Sequence, residues 1–264
     1  MPELPEVETI VNQLRSKIKS KMIISLEDFD SSMVDTRIKD ILPVKIENVF
    51  RRGKSIIIEL NNGHYLLTHL RMTGYFQHFN KNYSKEPFLV AKFGLNDGSV
   101  LAHYSIRKFG SIKLVSSNEL EVVLSKLGVE PLSKQFTLEH FNELLLKKQK
   151  SVIKSFLMDQ SLIAGIGNIY AIEVLYLSGI DPQRKIISFS SPEIKKLYNQ
   201  IKKVLQLAVE KKGSTVDNYV HVEGSGGYQN LLTVYGKKVC PKGHEVKKIN
   251  LGGRGTYYCP ECQR

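Results

Sequence analysis

The sequence predicts an α+β chain: an N-terminal amphipathic helix, antiparallel strands closing into a sandwich or flattened barrel, a helical region, and a short metal-binding end. Three observations predict it. Apolar residues Val7, Ile10, Val11, Leu14 and Ile18 recur at helical spacing, and from about residue 22 to 116 the pattern changes to short β-rich runs. Apolar stripes at helical spacing return between 136 and 212. All three cysteines, Cys240, Cys259 and Cys262, crowd into the C-terminal end, which argues against a disulfide framework and for a local metal site.

The 264 residues suffice for two modest domains, each with its own core. Lys and Arg number 38 against 26 acidic residues, a net charge of +12, and such an excess points to a polyanionic partner, nucleic acid before anionic membrane. No apolar run approaches the roughly 18 residues of a membrane span, and no signal peptide is visible, so a soluble, cytoplasmic protein is expected. There is no internal repeat.

The first helix should run from residue 3 to about 19. Pro2 follows the initiator methionine, whose removal before a small residue would leave a secondary amine at the terminus. A free α-amino group titrates near ~8, so a useful fraction is nucleophilic at neutral pH, and its attack on a sugar carbon ends in an iminium. Glu3 and Glu6 lie three apart on the first turn. One carboxyl can serve as general acid while the other holds the amine or a water. Acidic residues with proline also make an ordinary helix start.

Strands are expected at Met22–Ser25, Lys45–Phe50, Ser55–Leu60, His64–Leu70, Phe88–Phe93, Ser99–Tyr104 and Ser111–Val115. Asn61-Asn62-Gly63 and Asn96-Asp97-Gly98 read as hairpin turns. Three connections carry side chains that a sandwich does not need: Arg51-Arg52-Gly53-Lys54, His69-Leu70-Arg71-Met72-Thr73-Gly74 and Arg107-Lys108-Phe109-Gly110. Gly128-Val129-Glu130-Pro131-Leu132 reads as a linker, and the domain boundary is placed there.

Helices are expected at Thr137–Lys148, Lys150–Met158, Asn168–Leu177 and Ser191–Lys212, the last with Ser191 as cap, Pro192 first and Glu193 behind. In the junction from Asp159 to Tyr170, Gly165 and Gly167 let the backbone approach a phosphate at a helix N-terminus. Gly213 to Tyr228 is polar and glycine-rich, the size of a functional loop. The chain closes with Cys240-Pro241-Lys242-Gly243-His244 and Cys259-Pro260-Glu261-Cys262, two pairs able to present three thiolates and His244 tetrahedrally to one structural zinc ion.

The run Pro2-Glu3-Leu4-Pro5-Glu6-Val7-Glu8-Thr9 closely resembles the amino terminus of the bacterial formamidopyrimidine-DNA glycosylases. The three strand connections, the Asp159–Tyr170 junction and the cysteine-rich end resemble the same family in the same order, so the likeness covers essentially the whole chain. It implies an N-terminal helix with a two-layer β-sandwich (residues 1–130), a helix–two-turn–helix DNA-binding domain (131–231) and a zinc-finger hairpin (232–264). It implies a single-chain repair enzyme of the bacterial cytoplasm, at the nucleoid when bound, that removes formamidopyrimidine and 8-oxoguanine from damaged double-stranded DNA and cleaves the strand by β,δ-elimination.

By the same resemblance Pro2 attacks C1′ while Glu3 acts on the sugar oxygen, Lys54 reaches the lesion and its phosphates, and His69 binds backbone phosphate. Met72 enters the space of the everted base, Phe109 is the wedge, and Arg107 meets the orphaned cytosine. Lys154, Asn168 and Arg254 hold the DNA backbone, Glu173 braces the catalytic end, and the 213–228 loop covers the extruded base. Two departures stand out: Ser105 replaces the family's usual aspartate, and the first knuckle keeps only Cys240, with His244 four residues on. They leave room for a paralogue acting on oxidised pyrimidines or abasic sites alone, or for a damage-binding protein without catalysis.

Overall fold

The computed structural model describes residues 1–80, 87–215 and 222–264. The chain divides into two compact units, Met1–Lys126 with Lys212–Gly227, and Leu127–Lys211 with Tyr228–Arg264.

The first unit starts with helix α1, Leu4–Ile18, capped by Glu3 and with Pro5 in its first turn, where proline's missing N–H costs nothing. Leu4, Val7, Ile10, Val11, Leu14 and Ile18 are fully buried, so the apolar stripe is the core face. Eight strands follow: β1 Met22–Asp28, β2 Val44–Arg52, β3 Ser55–Leu60, β4 His64–His69, β5 Gly74–Phe79, β6 Leu89–Leu95, β7 Val100–Ser105 and β8 Ser111–Ser116. Strand β5 was not expected from the sequence. Gln77 and His78 break its apolar pattern, and its pairing with β7 from Gly74↔Ser105 to Phe79↔Val100 makes it a strand.

The order β5-β7-β6-β1-β2-β3-β4-β8 is antiparallel throughout. β1 meets β2 only at Met22↔Lys45 and Ile23↔Val44, and at that seam the sheet folds into two four-stranded layers. Phe76, Phe93 and Leu101 from one layer and Ile46, Ile58 and Ile112 from the other line one apolar interior space, the signature of a sandwich rather than a barrel. Helix α2, Ser117–Leu124, closes this part with a capping box of Ser116 and Glu119.

Register decides where the informative loops lie. Arg52↔Ser55, Ser55↔His69 and His69↔Ser111 are consecutive pairs, so the β2–β3 turn, the end of β4 and the start of β8 share one end of a layer. The described residues 212–215 and 222–227 belong to this unit, not to the helices with which the sequence reading groups them. The Gln13 amide donates to the Glu223 carbonyl at 2.7 Å, and Ser214 N–H donates to Glu6 at 2.8 Å.

The second unit holds α3 Leu138–Lys147, α4 Ile153–Met158, α5 Asn168–Ser178 and α6 Ser191–Glu210, with the hairpin β9 Lys247–Leu251 and β10 Arg254–Tyr258. Helix α4 starts later than expected because Val152 is extended and pairs with Lys185. The cap of α6 is Ser190, one residue before the expected Ser191, in a capping box with Glu193. Helix α5 is buried on nearly all sides, which explains its almost continuous apolar sequence.

The 128–132 stretch is pinned rather than loose. Gly128 N–H donates to the Gln160 carbonyl at 2.8 Å, and a Cβ at Gly128 would lie 2.1 Å from the Leu162 carbonyl carbon. The β9–β10 turn is Gly252-Gly253, both at positive φ, as a two-residue hairpin of this twist requires. Among the described residues no helix is long and apolar enough to cross a membrane.

Candidate active site and zinc centre

The start of α1 is closed and internally satisfied. Pro2, Glu3 and Glu6 are all buried. The Glu3 N–H donates to Glu6 Oε2 at 2.9 Å, while Glu6 Oε1 accepts from Ser214 N–H at 2.8 Å and from its hydroxyl at 3.3 Å. A carboxylate receiving several donors is fixed in place. Glu6 is therefore a brace that sets the backbone at Glu3. Gly213, at φ +72°, permits this approach: a Cβ there would come within 2.7 Å of Glu6 Oε1. The sequence reading places Gly213 and Ser214 in a functional loop but not against Glu6, because two hundred residues separate them and nothing local marks the partnership.

Lys54 is buried in the two-residue turn between β2 and β3, where Gly53 supplies the positive φ. His69 ends β4 on the neighbouring strand, opposite Ser55. Its Nδ1 accepts the Arg71 N–H at 3.1 Å, so the ring proton sits on Nε2. Burial, then the charges of Arg71 and Lys54, push the imidazole down to about 4. His69 is thus a neutral hydrogen-bond donor at physiological pH.

Met72, Arg107 and Phe109 gather into one exposed cluster. Arg107 Nη1 donates to Met72 Sδ at 3.4 Å, and the guanidinium lies 5.2 Å from the centre of the Phe109 ring. Phe109 is 58% exposed and Met72 40%, so both apolar side chains face solvent beside the Arg107 guanidinium. The Arg107 N–H donates to the Thr73 hydroxyl, which ties the two loops together. Ser105 does not hold Arg107: its hydroxyl is buried without a hydrogen-bond partner among the described residues.

In the second unit Lys154, on α4, is buried and its ammonium donates to the Thr256 hydroxyl at 2.6 Å. Asn168 opens α5 and donates to the Gly255 carbonyl at 3.1 Å. Both helices are thereby tied to the β9–β10 hairpin. Arg254 is exposed at the head of β10 and shares an open groove with Lys154, Ser155 and Gly252. Glu173 is fully buried on α5. Its carboxylate accepts the N–H groups of Thr233, Val234 and Tyr235 and the Thr233 hydroxyl, so it braces the chain leading to the cysteine-rich end.

The donor atoms of Cys240, His244, Cys259 and Cys262 all lie within 4.8 Å of one another. His244 Nδ1 is 3.2 Å and Cys240 Sγ 3.9 Å from Cys262 Sγ. Thiolates at ~2.3 Å from one tetrahedral ion stand about 3.8 Å apart, so three sulfurs and one nitrogen suit a single structural zinc with no open position. The extra residue in the first knuckle is absorbed by Gly243 at φ +86°, whose N–H donates to the Cys240 carbonyl and turns His244 back toward the thiols.

The polar loop expected to cover an extruded base includes residues 216–221, which lie outside the described residues.

Comparison with known proteins agrees along the whole length. Three family models match: the formamidopyrimidine-DNA glycosylase N-terminal domain over residues 1–112, the formamidopyrimidine-DNA glycosylase H2TH domain over 127–220, and the zinc finger found in FPG and IleRS over 237–264. The formamidopyrimidine-DNA glycosylase of Streptococcus mutans is 40% identical, and that of Exiguobacterium 37%, each alignment covering 100% of both chains. Among solved structures, Lactococcus lactis Fpg in complex with abasic-site DNA superposes with a TM-score of 0.92 at 35% identity over 99% of each chain. A Lactococcus lactis FPG mutant in complex with Fapy-dG DNA does so at 0.92 and 36% over 100% of each. With the helix cap, strand-end loops, helix junction and Cys/His knuckles all in the matching order, the chain belongs to the formamidopyrimidine-DNA glycosylase family.

Proposed function

We propose that the chain is a DNA glycosylase and AP lyase that excises oxidised purines, formamidopyrimidine and 8-oxoguanine, from duplex DNA. The observation that carries this reading is the closed start of α1, where Pro2 and Glu3 are buried and Glu6 is committed to holding the backbone between them and Ser214. A helix start needs a cap, but it does not need two buried carboxyl groups beside a proline amine, one of them fixed from a distant segment.

Once Met1 is removed, the Pro2 nitrogen bonds to C1′ of the damaged nucleotide as the glycosidic bond breaks and the base departs. Glu3 protonates the sugar ring oxygen as the ring opens, leaving an iminium. The proton that Pro2 gives up leaves with the base. With the iminium as electron sink, loss of a C2′ proton then expels the 3′ phosphate, loss of the C4′ proton expels the 5′ phosphate, and water hydrolyses the iminium to free the enzyme. Lys54 and His69 hold the lesion's phosphates, the latter through an Nε2–H hydrogen bond. Phe109 wedges into the stack, Met72 occupies the vacated space, and Arg107 offers donors to the base left opposite.

Lys154, Asn168 and Arg254 grip the backbone on the second unit, helped by Lys237, Lys238, Lys242, Lys247 and Lys248 in the same basic end. Zinc, when bound, supplies a tetrahedral tether between the two knuckles; Arg254 and the hairpin make the contact with DNA. Such an enzyme works as a single chain, in the cytoplasm and at the nucleoid.

The test is borohydride trapping on a duplex with one 8-oxoguanine opposite cytosine, beside an abasic duplex, using the wild type, Pro2→Gly and Glu3→Gln. The reading expects Pro2-dependent adducts on both. Trapping on abasic DNA alone would remove 8-oxoguanine as substrate, and tight binding with no adduct on either would leave a damage-binding protein.

A further inference from the structure

We propose that Arg51, oriented by Glu8, is a positioning residue that sets the Lys54 turn against the helix carrying Pro2 and Glu3. This rests on the glycosylase/lyase reading above.

Arg51 is the penultimate residue of β2, and its side chain is only 9% exposed. Nε donates to Glu8 Oε2 at 2.8 Å, and Nη1 donates to the Gly53 carbonyl at 2.9 Å. Glu8 lies in α1 between Val7 and Thr9, soon after the residues assigned the chemistry. The Gly53 carbonyl belongs to the peptide that leads into Lys54. One planar cation therefore grips the reactive helix with one nitrogen and the peptide preceding Lys54 with another.

A nearly buried guanidinium is tolerated only when paired and hydrogen-bonded, so the bridge is a specified feature rather than a chance contact. The turn it grips has two residues and positive φ at Gly53, so the direction in which Lys54 leaves the backbone follows from the orientation of that single peptide. Lysine at position 51 carries one ammonium on a flexible stem and cannot reproduce a fork with two fixed directions.

The same helix and strand offer an internal control. Arg15 also ties α1 to β2, through Nε to the Val49 carbonyl at 2.7 Å, but it does not touch the Gly53 peptide. Loss of Arg15 removes a tie between helix and strand and leaves the Lys54 turn held.

The experiment is single-turnover borohydride trapping at saturating abasic duplex, with DNA affinity measured in parallel, for the wild type, Arg51→Lys, Glu8→Gln, Arg15→Met, Lys54→Met and the Arg51→Lys/Lys54→Met pair. Misplacement of a group by about 1 Å costs up to ~100-fold in rate. Arg51→Lys and Glu8→Gln are expected to trap ~10- to 100-fold more slowly with affinity changed less than about threefold, and Arg15→Met to trap at the wild-type rate. The double variant is expected to be no slower than Lys54→Met alone, because Arg51 acts through Lys54. Wild-type trapping with undiminished rates in Arg51→Lys and Glu8→Gln, or losses that multiply in the double variant, would overturn the proposal alone. Absence of trapping by the wild type would instead overturn the functional reading beneath it. Glu8→Gln keeps the size of the side chain but removes the charge that holds the Arg51 guanidinium, so a folded variant that loosens the bridge remains if Arg51→Lys fails to fold.

Discussion

Two regions of the first unit are built on opposite plans. At the start of α1, Glu3 and Glu6 are buried and hydrogen-bonded, and the Glu6 carboxylate accepts from Glu3 and from Ser214. At the loops between β4 and β5 and between β7 and β8, Met72, Arg107 and Phe109 stand in solvent and satisfy one another only through a long N–H···S contact and a cation over a ring. Groups that must meet a reacting carbon gain from being held before the substrate arrives. On the proposed function, groups that enter a duplex cannot be held inside the protein, and their apolar surface would stay exposed until DNA covers it.

The sharpest way to break this comparison is Glu3→Gln. If the closed region is the seat of chemistry, excision and strand cleavage should fall by ~10²- to 10⁴-fold, the usual worth of a general acid, with duplex affinity within about threefold. Single-turnover cleavage and a binding titration on the same DNA measure both. Excision within tenfold of the wild type would mean that Glu3 is a cap and no more.

Phe109→Ala tests the open region. Everting a base costs a few kcal/mol in unstacking, and a missing wedge should slow excision of 8-oxoguanine from duplex by ~10- to 100-fold. Trapping on an abasic site in single-stranded DNA, where nothing must be extruded, should change by less than about threefold. Equal losses on both substrates would show that the exposed cluster supports the fold or the chemistry instead of eversion.

His244→Ala carries the comparison into the second unit, where a closed zinc site supports an exposed Arg254. Zinc per chain, read by native mass spectrometry, should drop from one. The slope of log affinity against log salt should flatten by about one unit as the hairpin's phosphate contact is lost. Trapping on an abasic single strand should persist, since Pro2 and Glu3 sit in the other unit. Undiminished zinc in this variant would mean that the three thiolates suffice and that His244 is no ligand.

These regions also differed in how far the sequence revealed them. The open loops were legible as strand ends from their turn residues, while the roles of Met72, Arg107 and Phe109 came from the family resemblance, because a methionine or phenylalanine after a strand reads first as core and its exposure shows only in the fold. The zinc ligands were legible from spacing, even with His244 in an irregular position. The closed region was legible only by half: Pro2, Glu3 and Glu6 stand together in the chain, but Ser214 and Gly213 reach them from two hundred residues away. Register was equally hidden. Whether Ser55, His69 and Ser111 lie side by side depends on pairing between strands, and no periodicity within one strand encodes it. Strand β5 was missed for the same reason, since Gln77 and His78 interrupt the apolar pattern and β7 supplies the pairing. The Glu8–Arg51–Gly53 bridge could be guessed from neither end.

The smallest effect sharpens the meaning of a closed region. His103 on β7 is fully buried beside Phe76, and neither ring nitrogen has a hydrogen-bond partner among the described residues. Unlike Glu6, it is enclosed without being used. Burial pushes its imidazole from 6.5 down to about 3. Between those values the unfolded chain binds a proton that the folded chain refuses, so stability is complete above pH 6.5 and is lost as pH falls toward 3. At pH 5 the loss attributable to this residue is about 2 kcal/mol. His103→Phe keeps an aromatic ring against Phe76 and removes the titration, so urea unfolding at pH 8 and pH 5 should show a smaller acid penalty than the wild type by that amount. His69, held at about 4, supplies a residual penalty in the variant. An unchanged difference between the two pH values would mean that the His103 ring finds a proton partner when it is charged, and that the sandwich interior is less closed than the start of α1.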